Sequence, residues 1–343
     1  MCESNISKNN YILKKLENKN IFISGATGLI GKTLVKKLDE LNKQFDLNIR
    51  IYVLTRNVSK ARSIFQKYEG IIYIQGDIRN KNLEFSDRID YIIHAASVTD
   101  SRTFISNPVE TIETTVLGTK LILEFAKEKK VESMVYLSSM EIYGEIQDSK
   151  PLTELDVGYL NPLSVRSSYS ESKRLAETLC VSFFHEYGVP IKILRLAQTF
   201  GPGIHYNERR IFAEIARCVI ENRDIVLHTQ GKSEHMYLYT DDAVEAIIIA
   251  LISGENGNAY NVANKYTYCS IKEMADLVVG ELAKNAIKVI IDNKENVIYA
   301  PEHHIYLDTS KIEKLGWVAK TNLQDMYFKL IESMNENTNE EEH

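Results

Sequence analysis

Tyr169 and Lys173 stand four residues apart in Tyr169-Ser170-Glu171-Ser172-Lys173, a spacing that puts both on one face of a helix. A phenol is ordinarily protonated near neutral pH. An ammonium beside it favours the phenolate and lowers its pKa, and an oxidised nicotinamide ring would add to this. Such a tyrosine can pass a proton to or from a substrate oxygen while hydride moves to or from the nicotinamide. The spacing alone also describes an ordinary surface pair. Its context is Tyr136-Leu137-Ser138-Ser139-Met140-Glu141-Ile142-Tyr143-Gly144, an apolar run ending in two hydroxyls. Ser139 is expected to hydrogen-bond the same substrate oxygen and hold it near Tyr169; the plainer alternative for both serines is a turn.

The partner for that chemistry is announced earlier in the chain. Ile21-Phe22-Ile23-Ser24 is followed at once by Gly25-Ala26-Thr27-Gly28-Leu29-Ile30-Gly31 and a helical pattern to about Leu41. The first glycine permits a tight turn, the second lets the backbone approach a pyrophosphate, and the third allows close helix–strand packing. Unpaired N–H groups at the helix start receive the phosphates, so Gly25, Thr27, Gly28, Leu29, Ile30 and Gly31 are expected around a dinucleotide. The second strand ends Val53-Leu54-Thr55-Arg56-Asn57, with Lys60 one turn on and no acid to hold ribose hydroxyls. Arg56 therefore favours NADP(H), with NAD(H) still open; the alternative is a solvated loop charge. Asp77-Ile78 is expected near the adenine. The small residues of His94-Ala95-Ala96-Ser97 let a cofactor lie close, with Tyr169 and Lys173 reaching it from the other side.

These residues need a scaffold, and the remaining pattern supplies one. Apolar runs at Ile49–Leu54, Ile71–Gln75, Tyr91–His94, Met134–Ser138 and Ile191–Leu196 follow the first strand. Helical patterns separate most of them, at about 58–68, 107–130 and 167–187. Nearly continuous apolar strands alternating with helices predict an α/β fold, a doubly wound parallel Rossmann sheet covered on both faces. Residues 1–19, with Ile12, Leu13 and Leu16 at helical spacing, read as an N-terminal helical extension. Residues 20–200 form the dinucleotide-binding domain. Residues 201–334 form mainly a smaller α/β substrate-binding lobe, with helices at about 208–222 and 241–252, a strand near 225–228, a segment 271–284, and pieces returning to the first domain. The polar stretch 335–343 reads as a disordered tail.

Composition narrows the function classes. A chain of 343 residues, 44% of them hydrophobic, can bury a full core. Its net charge of −6 provides no broad basic field for nucleic acid. Cys2, Cys180, Cys218 and Cys269 lie far apart, without the Cys/His spacing of a zinc site, so no metal is expected and free thiols in a reducing compartment are. The first twenty residues lack a signal-peptide apolar run, and no stretch of about 18 apolar residues would span a membrane. The expected location is the cytoplasm.

Taken in order, the segments 25–31, 94–97, 138–144, 169–173 and 195–203 (Arg-Leu-Ala-Gln-Thr-Phe-Gly-Pro-Gly) resemble the extended short-chain dehydrogenase/reductase family. The similarity covers roughly residues 18–330. It implies a catalytic set of Ser139, Tyr169 and Lys173 and a nucleotide-sugar substrate, and the stretch 158–169 looks most like the UDP-glucuronate decarboxylase branch. Helices near 107–130 and 167–187 imply a homodimer by analogy.

Several positions depart from the family pattern. Dehydratases carry an Asp-Glu pair where this chain has Met140-Glu141, so water elimination is not expected; Glu141 is retained as a second acid/base or hydroxyl anchor. Thr115 replaces a helix asparagine that supports a relay water or the backbone. Gln198 stands where relatives place asparagine and is expected, like Thr99, to touch substrate. His235 occupies the place of an arginine that contacts the diphosphate, and a neutral imidazole lacks its fixed charge and forked donors. Lys232, Arg209 or Arg210 would then compensate; Arg210 matches a substrate-side arginine of the decarboxylases, while Arg209 reads as a surface residue.

The leading reading is NADPH-dependent reduction of a keto group on a nucleotide-linked sugar or ketose. Arg56 and the missing dehydratase acid favour it. The alternative is a nucleotide-sugar epimerase or decarboxylase that recycles NAD internally. A non-catalytic dinucleotide-sensing protein is the third, opposed by the complete Ser139, Tyr169 and Lys173 set.

Overall fold

Alternation within each strand explains how the sheet is covered. In the computed structural model, which describes residues 11–79, 83, 85–146, 150–292 and 302–341, the chain opens with a helix α1 at residues 11–16. It continues through β1 (Asn20–Ser24), α2 (Leu29–Phe45), β2 (Arg50–Thr55), α3 (Val58–Ile64), β3 (Ile71–Gln75) and β4 (Tyr91–His94). Then come α4 (Ser101–Ser106), α5 (Pro108–Lys129), β5 (Ser133–Ser139), a 3-10 turn (Met140–Tyr143), α6 (Ser167–Tyr187) and β6 (Ile191–Leu196). The second part adds β7 (Gln198–Phe200), α7 (Ile211–Ile220), β8 (Ile225–Leu227), β9 (Glu234–Tyr239), α8 (Thr240–Ser253), β10 (Asn258–Val262) and β11 (Asn264–Ser270). It ends with α9 (Ile271–Leu277), β12 (Val289–Ile291), β13 (His304–Ile305), α10 (Ser310–Glu313) and α11 (Leu323–Glu341).

Seven parallel strands make the main sheet, in the order β10-β6-β5-β4-β1-β2-β3. The order reverses between β1 and β4, which opens a crevice at the strands' carboxyl ends. Successive side chains point to opposite faces. Ile21 and Ile23 of β1, with Val135 and Leu137 of β5, join the core under α2 and α8. Phe22, Met134 and Tyr136 join the core under α5 and α6. With both faces covered, these strands read as unbroken apolar runs.

A smaller lobe packs its own core between α7, α11 and the pair of Tyr237 and Tyr239 on β9. There β9 pairs antiparallel with β11 and parallel with β7 and β13, while β12 pairs with β8. Two later pieces return to the first domain: β10 extends the main sheet beside β6, and α8 packs against α2. In α1 Leu16 is fully buried and Ile12 and Leu13 pack on the same core; residues 1–10, Cys2 among them, lie outside the described residues. The polar segment from Asn335, expected to be disordered, instead continues α11 to Glu341. Its first turns carry Leu323, Met326, Tyr327, Leu330 and Met334 into the lobe core, and the polar residues extend that helix.

Candidate active site

The glycine turn is shaped by what its backbone must approach. Gly25 has φ +75°, and a Cβ there would lie 2.5 Å from Ala96 N. A Cβ at Gly31 would lie 2.2 Å from the carbonyl oxygen of Gly25, so the helix could not come this close to the turn with any side chain. Gly28 differs: its Cβ would meet only that same oxygen, at 3.3 Å. A Cβ at Gly28 is therefore tight against one backbone oxygen and meets nothing else, so the bare backbone there leaves space on the cleft side. Gly28 caps α2 without a side-chain hydrogen bond, and no acid lies in the first turn. The N–H groups of that turn therefore face the cleft uncompensated, with the positive end of the helix dipole behind them. Donors, charge and space all fit a pyrophosphate.

From this turn a cleft of about 760 Å³ runs along the strand ends. It brings together Gly25, Thr27, Gly28, Leu29, Ile30, Gly31, Arg56, Asp77, Ile78, Ala95, Ala96, Ser97, Thr99, Ser139, Glu141, Tyr169, Lys173, Gln198 and Arg210. At one end Arg56 is exposed beside Lys60, and the Asn57 side chain accepts the Lys60 N–H to cap α3. The carboxylates lining this end, Asp77 and Glu110, are both held by Arg79, at 2.8 and 3.0 Å. The Arg79 hydrogen bonds keep the Asp77 carboxyl below its ordinary range.

At the other end Ser139 closes β5, and its Oγ accepts the Glu141 N–H at 3.2 Å. Ser138 turns away, donating to Glu177 Oε1 at 2.5 Å. Tyr169, buried on α6, stacks face to face on Phe104 with centroids 4.2 Å apart. Burial raises the Tyr169 pKa and Glu141 adds to this, while a hydrogen bond with Ser139 works against both. Lys173 is buried, its Nζ 5.8 Å from the Tyr169 ring centroid and donating to Leu137 O at 2.7 Å. Burial lowers its pKa to about 8. The four-residue spacing predicts a lysine that lowers the tyrosine's pKa; in the folded protein desolvation raises it, and the opposing pull comes from Ser139, Arg166 and Arg210. Burial thus favours the neutral phenol, while the Ser139 hydrogen bond and the Arg166 and Arg210 charges favour the phenolate that would take a proton from a sugar hydroxyl. Glu141 accepts from Arg166 at 2.7 Å and from Ser170 at 3.3 Å, and the Arg166 guanidinium lies 4.9 Å over the Phe104 ring.

His235 lies outside the residues lining this cleft. On β9 it is buried, its ring 4.6 Å from that of His303 and its Nδ1 without a hydrogen-bond partner. Burial, then the charges of His303 and His304, hold its pKa down to about 4, so it carries no charge at neutral pH. Arg210 enters the cleft paired with Glu208 at 3.0 Å, whereas Arg209 and Lys232 are exposed. Thr115 is buried with its hydroxyl unpaired. Among the described residues, no cluster of His, Cys, Asp or Glu is arranged for a metal, and no helix is long and apolar enough to cross a membrane. Cys180, Cys218 and Cys269 are free thiols. Sequence reading missed Arg79, Phe104, Arg166 and Glu177; Glu177 stands one helical turn after Lys173, a spacing that could have found it, while proximity in the fold gives the other three their role.

The model of the NAD dependent epimerase/dehydratase family matches residues 21–263. UDP-glucuronic acid decarboxylase 3 of Arabidopsis thaliana is 30% identical over 313 residues, covering 90% of this chain and 86% of that protein. The UDP-glucose 4-epimerase of Thermotoga maritima, solved with UDP-glucose, shares the fold at 21% identity and TM-score 0.79, covering 93% of this chain and 99% of that one. The dTDP-glucose 4,6-dehydratase of Streptomyces venezuelae, solved with NAD, does so at 23% and 0.77, covering 93% and 98%. The chain belongs to the NAD dependent epimerase/dehydratase family and is an enzyme of the extended short-chain dehydrogenase/reductase type.

Proposed function

We propose that this enzyme converts a nucleotide-linked sugar by internal redox, as an epimerase or decarboxylase that returns the hydride to the same substrate. The observation that carries this is the convergence of Ser139, Tyr169 and Lys173 on the cleft that also holds the glycine turn. A bound nicotinamide dinucleotide supplies the hydride acceptor. Gly25, Gly28 and Gly31 with the start of α2 hold its pyrophosphate, and Ser139 and Tyr169 grip the sugar oxygen being oxidised or reduced. Gln198, Thr99 and Arg210 orient the sugar. With Met140 in place of the dehydratase acid and Glu141 tied to Arg166, elimination of water is disfavoured. The similarity to decarboxylases and epimerases supports this reading over the net NADPH-dependent reduction that led the sequence reading.

The second reading, net reduction with NADPH, draws on one observation: among the described residues, the carboxylates that line the cleft near Arg56 and Lys60, Asp77 and Glu110, are already held by Arg79. That feature also suits NADP(H) as a recycled cofactor, with NAD(H) as the alternative. A homodimer through α5 and α6 is the expected assembly, since Val109, Leu117, Leu175 and Val181 leave apolar surface exposed there. One experiment separates the readings. The protein is denatured and its released nucleotide identified, then the native enzyme is given UDP-glucuronate, UDP-glucose or dTDP-glucose with products followed by NMR. An epimerised or decarboxylated sugar formed without added reductant supports internal redox. Conversion of a keto sugar only with stoichiometric NADPH sinks it.

A further inference from the structure

Behind the cleft a buried polar chain ties the catalytic helix to the sheet and to the returning strand of the second lobe. Its centre is Glu177, one helical turn after Lys173 on the same face of α6. Glu177 accepts from Ser138 at 2.5 Å and from both Nε and Nη2 of Arg195 on β6, the shortest contact being 2.7 Å. Arg195 in turn donates to Tyr143 Oη at 3.0 Å and to Glu154 O at 2.8 Å. Tyr143 donates to Asn261 Oδ1 on β10 at 2.6 Å. Every group of this chain is hydrogen-bonded, so it holds its geometry tightly.

We propose that Glu177 is a positioning residue for the reaction, holding the end of β5 through Ser138 and placing its carboxyl group one helical turn from Lys173. The inference rests on the reading above that Ser139, Tyr169 and Lys173 act together. Ser138 and Ser139 are neighbours on one strand: fixing the first from behind fixes the direction of the second into the cleft. On the lysine side, the surroundings are His94 from β4, Tyr136 from β5, and Tyr169, Cys180 and Glu177 from its own helix. Of these Glu177 is the side chain ion-paired with an arginine, and it favours the ammonium against the cost of burial. Arg195 limits that effect by sharing the same carboxylate. The second-lobe strand β10 thereby reaches the catalytic group without touching it.

The test reads Lys173 directly. The enzyme carrying carbon-13-labelled lysine is titrated by NMR, with the Lys173 signal identified by its loss in Lys173→Met. The wild-type midpoint is expected near 8. In Glu177→Gln it is expected to fall by on the order of one pH unit, with the pH dependence of kcat moving the same way and KM unchanged; Glu177→Asp is expected to restore it. Ser138→Ala, which keeps the ion pair, is expected to lower kcat about tenfold without moving the lysine midpoint. It keeps the proposal testable if the glutamine variant does not fold. A cooperatively folded Glu177→Gln with an unmoved midpoint overturns the charge role, and an unchanged kcat in Ser138→Ala overturns the positioning role. Tyr169→Phe is assayed alongside: if it retains full turnover, the reading of the site fails whatever Glu177 does.

Discussion

At the residue scale, the catalytic end is a balance of opposed charges around one phenol. Glu141 pushes the Tyr169 pKa up and Arg166 and Arg210 pull it down, while burial dominates all three. Arg166 also holds Glu141 at 2.7 Å, so it acts on the tyrosine twice, directly and by neutralising the acid. Arg166→Ala is therefore expected to lower turnover at neutral pH by about tenfold, with activity recovering as pH rises and phenolate becomes accessible. Glu141→Gln should soften that loss. A double-mutant cycle on kcat measures the coupling, and strictly additive effects would show that the two side chains do not work through each other. Tyr169, Lys173 and Ser139 were legible in the sequence because one helical turn and one strand end set their spacing. Arg166 and Phe104 were not: their role comes from α4 folding over α6, a contact with no sequence period.

At the element scale, the strand–turn–helix unit separates two uses of glycine that look identical in sequence. Gly31→Ala drives a Cβ to 2.2 Å from the Gly25 carbonyl and 2.6 Å from Ala26 Cα, and both are backbone that cannot yield. That variant should lose about 1–3 kcal/mol of stability or more, seen as a Tm several degrees lower. Gly28→Ala meets a single neighbour, at a tight 3.3 Å, and should lower the Tm of the dinucleotide-free protein far less than Gly31→Ala does. Yet it should release bound dinucleotide on purification, because the added methyl occupies the side facing the pyrophosphate. Calorimetry of both proteins with and without added NADP decides this; equal loss of stability in the two would refute the distinction. β1, β2, β4, β5 and β6 were readable because burial on both faces makes them largely apolar, whereas the edge strand β3, with no fully buried residue, was readable from its run Ile71–Ile74. β10 was not, since Asn258 and Asn261 interrupt it. Asn261 is fully buried yet satisfied by Tyr143, Leu152 and Asp308, so a strand with turn-like composition sits inside the sheet. In α11 the spacing of Leu323, Met326, Tyr327, Leu330 and Met334 was a usable helical signal, masked by the polar residues after it.

At the scale of the whole molecule, two buried lysines serve different ends of the sheet. Lys173 has Glu177 one turn away, whereas Lys192 on β6 has neutral hydrogen-bond acceptors, Ser133 Oγ at 2.7 Å and Pro190 O at 3.3 Å. Burial alone lowers the Lys192 pKa to about 8 from 10.5. Between those values the unfolded chain binds more protons at this site than the folded one, so stability rises with pH across that window. The penalty is fully present below pH 8 and gone above 10.5; at neutral pH it amounts to on the order of 3 kcal/mol. Lys173 titrates in the same range with the same sign, so the wild-type slope contains both. Comparison with Lys192→Met isolates one of them. Ser133 keeps its hydrogen bond to Leu251 O in that variant, leaving no new orphaned group. Lys192→Met is therefore expected to raise Tm by a few degrees at pH 7, the difference closing as pH approaches 10. A constant difference across that range would mean that the lysine stays protonated in the fold with its pKa unshifted, and that the gain comes from packing.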